Sequence, residues 1–273
     1  MMQYKLGVIG DPIEHSLSPK IHNIFSKQTN INIDYQAYHV LEDYLDSFIK
    51  DFFSNGGDGL NITLPHKINC LRFANNKSSR VNLIGAANTL HSNGSGEIFA
   101  ESTDGVGLVN DLKDKCVISS ANILILGAGG SALSIIPSLD ACKPRNIILD
   151  NRSKDKLARV IEKFSDSKKI YSRILNLESF NEEIDLVINA TSIGFSGSFS
   201  WNRELKINNE TVFYDLSYSK DDLQTPFLKW GSQRAEKNFD GFGMLIHQAA
   251  ASFELWTGVA PETKITKLDL LNV

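Results

Sequence analysis

Two groups of residues in this chain have types and spacings that could do chemistry. The first is the run ILILGAGGSALS, residues 123–134, in which Gly127, Gly129 and Ala132 fill the small positions of a G-x-G-x-x-G/A turn. An apolar, strand-like run precedes the turn and a helical pattern follows it. In that setting Gly127 permits a tight turn, Gly129 lets main chain approach a pyrophosphate, and Ala132 lets the helix pack closely on the strand. The amides at the head of the new helix attract anions. The chemistry is dinucleotide binding, and with a nicotinamide dinucleotide it is hydride transfer. A second strand ends about 20 residues on, at Asp150, where an acidic side chain would bind the ribose 2′-hydroxyl of NAD. Arg152, Lys154 and Lys156 follow at once. Cations at a helix start oppose the helix dipole, and a 2′-phosphate would balance them. The cluster therefore favours NADP over a merely solvated basic patch, while Asp150 keeps NAD open.

The second group lies in the first 104 residues. In HSLSPK, residues 15–20, Ser18 reads as an N-cap with Pro19 at the first helical position. Ser16 stands one step outside, and two hydroxyls beside free amides suit a carboxylate; plain capping explains Ser18 but not Ser16. In NITLPHK, residues 61–67, Asn61 and Thr63 share one strand face. Lys67 falls in the first turn of a helix expected over 66–73, the unfavourable end for a cation. Asp104, before another helix, is a candidate partner, although an N-cap also accounts for it. A lysine beside an aspartate can exchange a proton with a substrate oxygen, which a carbonyl reduced by hydride requires. The six histidines show no metal spacing, and no metal is expected.

Elements alternate to position these residues. Strands are expected at 6–10, 35–40 and 59–63, with helices at 19–28, 41–53 and 66–73, then a hairpin of 88–91 with 98–101 and a helix over 105–114. From Asn122 the alternation resumes with strands at 122–126, 146–150, 186–190 and 211–216 and a helix from Ser153. Residues 192–209 read as a loop, and 241–256 and 261–271 as two helices. Such alternation predicts an α/β fold with parallel sheets covered on both faces.

Composition limits the function classes. The chain has 273 residues, 42% hydrophobic and 22% charged, which fits two domains of a globular protein. A net charge of -4 gives no general attraction to nucleic acid or anionic membrane. Cys70, Cys116 and Cys142 form neither a zinc nor a disulfide pattern and read as reduced thiols. The first residues lack signal-peptide character, and no apolar run approaches the roughly 18 residues of a membrane span. A cytoplasmic location is expected.

Taken together, GDPIEHSLSPKIHN, GLNITLPHK, GAANTL, STDGVG, LILGAGGSA, NRS, NATSIG, YDLSY, TPFL and DGFGMLIHQAA stand in an order that resembles the shikimate dehydrogenase family along essentially the whole chain. The resemblance implies an N-terminal α/β substrate domain, residues 1–104 completed by 240–273, and a Rossmann NADP-binding domain, 105–239. The C-terminal helices would pack back on the first domain, with the active site between the two. It implies reduction of 3-dehydroshikimate to shikimate with NADPH in chorismate and aromatic amino-acid biosynthesis, in a monomer or homodimer that binds neither nucleic acid nor membrane. Ser16 and Ser18 would hold the substrate carboxylate. Thr63, Asn88, Asp104 and Gln248 would bind ring hydroxyls, Asn61 and Tyr218 would be further contacts, and Lys67 paired with Asp104 would exchange the proton. Gly127, Ala128, Gly129, Gly130 and Ser131 match the pyrophosphate loop, and Asn151, Arg152 and Ser153 the 2′-phosphate loop. Leu216, Gly241 and Met244 match positions near the nicotinamide. Lys156 stands where many members carry a second arginine, and Leu216 and Phe195 replace common methionines. Alternatives are a quinate/shikimate dehydrogenase using NAD, a paralogue acting on another small acid, and a non-catalytic metabolite sensor.

Overall fold

Runs of buried residues build the centre of the first sheet, Leu6 to Gly10 in one strand and Gly59 to Ile62 in another. β1 (Tyr4–Gly10) lies between β2 (Ile33–His39) and β3 (Gly59–Ile62), parallel to both. β5 (Thr89–Ser92) then pairs antiparallel with β3 and with β6 (Ile98–Glu101), and β4 (Asn76–Lys77) closes the edge, giving the order β2-β1-β3-β5-β6-β4. The sheet is thus mixed: parallel through β2, β1 and β3, with the expected hairpin of 88–91 and 98–101 supplying the antiparallel pair β5–β6. A short turn, with Gly94 and Gly96 at φ 78° and 88°, can join β5 to β6 only as antiparallel neighbours. α1 (Ser18–Thr29) and α2 (Leu45–Ser54) bury Ile21 and Phe25, and Leu45, Ile49 and Phe52, at helical spacing. α3 (Ser79–Ile84) is capped by the Ser78 hydroxyl, and α4 begins at Asp104 and ends at Leu112.

The second sheet is parallel throughout. It consists of β7 (Asn122–Leu126), β8 (Asn146–Asp150), β9 (Arg173–Asn176), β10 (Leu186–Asn189), β11 (Val212–Asp215) and β12 (Lys237–Phe239), in the order β12-β11-β10-β7-β8-β9. Counted from β7 this is the 3-2-1-4-5-6 order of a Rossmann fold, with its switch point between β7 and β10. Every residue of β7, β8, β10 and β11 is buried, as a sheet covered on both faces requires. α5 (Gly130–Ala141), α6 (Lys154–Ser165) and α7 (Pro226–Gly231) belong to this unit, and α8 (Phe242–Thr257) follows β12.

The computed structural model describes residues 3–165, 173–191, 198–219 and 224–271. The chain divides into one compact unit of Met1–Gly107 with Ile246–Val273 and another of Leu108–Leu245. The later part of α8 packs into the first unit. Trp256 joins Leu6, Val8, Ile13 and Tyr35 in one cluster, and its indole N–H donates to the Leu90 carbonyl at 3.2 Å. No helix among the described residues is long and apolar enough to cross a membrane.

Two expected helices differ. Residues 66–73 form a turn followed by a 3-10 segment, Asn69–Phe73. The Lys67 carbonyl accepts the Ala87 N–H at 2.8 Å, so it is engaged outside any helical ladder. Residues 261–271 hold only a 3-10 turn at Asp269–Leu271. Thr263, Ile265 and Thr266 are β-branched, and Thr266 exchanges side-chain and main-chain hydrogen bonds with Asp269, a local alternative to helix. Residues 198–209 contain neither helix nor strand, while 192–197, Phe195 included, lie outside the described residues.

Candidate active site

The first unit holds a connected polar chain. Lys67 Nζ lies 2.7 Å from Asp104 Oδ2, with side chains 24% and 12% exposed, so the pair is shielded yet reachable. Asp104 Oδ1 accepts from Asn88 Nδ2 at 2.9 Å. The same amide reaches Thr103 Oγ1 at 2.8 Å and Gln248 Oε1 at 3.2 Å, while Asn88 Oδ1 accepts the Thr103 N–H at 2.8 Å. The Ala87–Lys67 main-chain bond fixes the lysine's turn against the loop carrying Asn88, so both partners of Asp104 are set by one local contact. Lys67 is therefore placed by this tertiary pairing and not by a helix start.

Asn61 extends the chain inward. It is buried, its Oδ1 accepts from the Tyr35 hydroxyl at 2.8 Å, and its Nδ2 faces the Asn88 carbonyl, Thr89 Oγ1 and Ser252 Oγ at 3.0–3.3 Å. Burial pushes the Tyr35 hydroxyl well above its ordinary pKa, against a hydrogen bond from Ser18. Ser18 is the first helical residue of α1 and does not cap it; Leu17 occupies the N-cap, and the Ser16 hydroxyl instead accepts the Ser18 N–H at 3.3 Å. Thr63 sits just past β3, its N–H bonded to the Ile9 carbonyl at 3.0 Å and its side chain half-buried. Bonded contacts thus join Ser18, Asn61, Asn88, Asp104, Lys67 and Gln248; Ser16 adjoins Ser18, and Thr63 stands outside the bonded chain.

The second unit carries the glycine turn. Gly127 has φ 116°, and a Cβ there would approach the Ala190 carbonyl oxygen to 2.9 Å, across the switch point. Its N–H donates to the Asp150 carbonyl at 2.7 Å, tying the end of β7 to the end of β8. Gly129 is the N-cap of α5, Ala128 is buried, and Gly130 and Ser131 are exposed. Past β8, Asn151 Nδ2 donates to the Ser153 carbonyl at 3.0 Å, and Ser153 Oγ accepts the Lys156 N–H at 3.4 Å, capping α6. Arg152 and Lys156 are exposed and have no acidic partner among the described residues, whereas Lys154 pairs with Glu178 at 3.3 Å.

Leu216 follows β11 and donates its N–H to the Asn189 carbonyl. Asp215 before it is buried, which raises its carboxyl pKa against hydrogen bonds from Thr225, Ser217 and Asn189. Gly241 donates its N–H to the Ser217 carbonyl at 3.0 Å, and a Cβ on it would lie 2.2 Å from the Leu216 carbonyl oxygen. Met244 is half-buried on α8. Tyr218 is also in this unit, edge-on to Phe242 with ring centroids 6.3 Å apart, and burial raises its hydroxyl pKa.

Known proteins match this arrangement along the chain. The family model of the shikimate dehydrogenase substrate binding domain matches residues 8–90, that of shikimate / quinate 5-dehydrogenase matches 110–216, and that of the shikimate 5'-dehydrogenase C-terminal domain matches 241–267. A shikimate dehydrogenase (NADP(+)) of Colwellia psychrerythraea is 42% identical over 96% of this chain and 94% of its own. The chain belongs to the shikimate dehydrogenase family. Among solved structures, an Ael1 enzyme from Pseudomonas putida superposes with TM-score 0.86 at 30% identity, covering 98% of both chains. A shikimate dehydrogenase in complex with NADP+ gives 0.84 at 32%, covering 99% of this chain and 95% of that one.

The shikimate dehydrogenase loops present here fit a dinucleotide. Among the described residues, a Cβ on Gly129 or Gly130 would meet no atom of another segment within 4 Å, leaving space over the turn where a pyrophosphate would rest. Arg152 and Lys156 suit a phosphate beyond it. Sequence reasoning missed Thr103, Tyr35 and Ser252, which complete the inner chain. Ser252 lies four residues after Gln248 on α8, and that helical spacing was the available signal. It also missed Arg203, whose Nε lies 3.2 Å from Asp150 Oδ2.

Proposed function

We propose that this shikimate dehydrogenase family member is an NADP-dependent enzyme that reversibly reduces 3-dehydroshikimate to shikimate in chorismate and aromatic amino-acid biosynthesis. The observation that carries the reading is the shielded Lys67–Asp104 pair, 2.7 Å apart and held by Asn88. When bound, the nicotinamide supplies or accepts the hydride. Lys67 Nζ delivers a proton to the oxygen that becomes the hydroxyl, and takes it back in the reverse direction. Asp104 Oδ2 orients the ammonium, and Asn88 keeps Asp104 from turning away. Ser16 and Ser18 bind the substrate carboxylate, while Thr63, Asn88, Asp104 and Gln248 bind ring hydroxyls. Asn61, whose amide is engaged within the fold, supports Asn88 from behind. Tyr218 is a further candidate contact.

On the cofactor side, Gly127 to Ser131 bind the pyrophosphate through main-chain amides at the start of α5. Asn151, Arg152, Ser153 and Lys156 bind the 2′-phosphate, and Leu216, Gly241 and Met244 flank the nicotinamide. The partner is a small molecule, with no nucleic acid or membrane, for a monomer or homodimer. We place the enzyme in the cytoplasm, where the free thiols of Cys70, Cys116 and Cys142 stay reduced. Lys67→Ala tests the reading. Turnover falls by about 10²–10⁴-fold while shikimate affinity shifts by less than about tenfold. Equal loss of both would make Lys67 a binding residue only.

A further inference from the structure

Asp150 ends β8 beside the glycine turn, through the bond of its carbonyl to the Gly127 N–H. In dinucleotide-binding folds an acidic side chain at the end of this strand binds the ribose 2′-hydroxyl of NAD, and its charge opposes the phosphate that NADP carries there. This chain keeps the aspartate, yet its relatives are named as NADP(+) enzymes. The structure shows what offsets it. Arg203, from the loop before β11, sets its Nε 3.2 Å from Asp150 Oδ2. The guanidinium Nη2 donates to Glu178 Oε1 at 3.4 Å, and Glu178 also engages Lys154. Asp150 is 3% exposed against 38% for Arg203, so the cation lies over the carboxylate on its solvent side. Burial raises the Asp150 pKa above the ordinary carboxylate value, and the Arg203 charge opposes part of that rise.

We infer that Arg203 is a cofactor-specificity residue: by pairing with Asp150 it cancels that charge and withdraws the carboxylate from the ribose 2′ position. Arg152 and Lys156, free of acidic partners among the described residues, then set the local field and select the 2′-phosphate. Lys154 contributes less than its place in the sequence suggests, because Glu178 engages it. The inference rests on the NADP reading above and adds the residue that makes it compatible with Asp150.

The test is a fluorescence titration of NADPH and NADH, with kcat/KM for NADP and NAD beside it. The proteins are wild type, Arg203→Ala, Arg203→Met, Asp150→Asn and the double variant Asp150→Asn/Arg203→Ala. Arg203→Met keeps the aliphatic stem if the alanine variant folds poorly. Removing the guanidinium should lower the preference for NADPH over NADH by about tenfold or more, and the double variant should return it to within about threefold of wild type. A preference unchanged by either Arg203 variant overturns the inference. So does a loss that persists in the double variant, since Arg203 would then touch the phosphate itself or only support the loop. Wild-type protein that binds NADPH but does not oxidise shikimate would overturn the proposed function and leave this inference standing.

Discussion

Asp104 and Arg152 are both charged side chains at a proposed binding surface, and their surroundings differ. Both oxygens of Asp104 are engaged, one by Lys67 and one by Asn88, within a chain that continues through Asn61 to Tyr35. Arg152 is exposed, has no acidic partner among the described residues, and lies past a glycine turn with open space above it. The first region is organised by its own hydrogen bonds, as the proposed proton-transfer role requires. The second consists of amides and cations that the cofactor would partner in the proposed function. A substitution in the first region should therefore disturb structure and chemistry together. In the second, binding should change while the fold does not.

The glycine turn gives the sharpest way to break this contrast, because one loop holds both kinds of position. Gly127→Ala forces a side chain onto φ 116° and against the Ala190 carbonyl, and should destabilise the protein by about 2–3 kcal/mol in urea unfolding. Gly129→Ala meets no atom of another segment among the described residues, so the melting temperature should hold while NADPH affinity falls. A stability loss at Gly129 would mean that the fold, and not the ligand, requires the glycine.

His22 sharpens the other side. It is buried against Tyr35, ring centroids 4.1 Å apart, and burial lowers its pKa from 6.5 to about 3. The folded protein keeps it neutral, whereas the unfolded chain takes up a proton below pH 6.5. Stability should therefore be fully present above pH 6.5 and decline as pH falls toward 3, by ~2 kcal/mol at pH 5. Urea titrations of wild type and His22→Gln at pH 7.5 and 5 check this, and the variant should lack that part of the slope. The smallest effect is expected at Arg152. Arg152→Ala should weaken NADPH binding about fivefold to tenfold, leave NADH binding unchanged, and show less effect at high salt.

The same contrast decided what could be read in advance. The turn at Gly127, the strand ending at Asp150 and the cations after it are adjacent in sequence, and local grammar is enough to find them. Lys67 and Asp104 can be paired in the sequence only by their chemistry, and the helix start expected at Lys67 is not formed, because its carbonyl bonds to Ala87 and the segment is a turn. Ser18 was misplaced by one residue, since Leu17 takes the N-cap. The role of Ser252, and the pairing of Arg203 with Asp150, arise from contacts between distant segments that no periodicity records. The tail's second helix failed because its apolar spacing is helical but its β-branched residues and the Thr266–Asp269 bonds favour a turn.

The most direct measurement is the rate of reduction of NADP and of NAD by the wild-type protein, with shikimate and quinate side by side. The account predicts shikimate oxidation with NADP at a kcat/KM at least about 100-fold above that with NAD, and a similar margin over quinate. Equal or faster reaction with NAD or with quinate, or no reaction with shikimate, would contradict it.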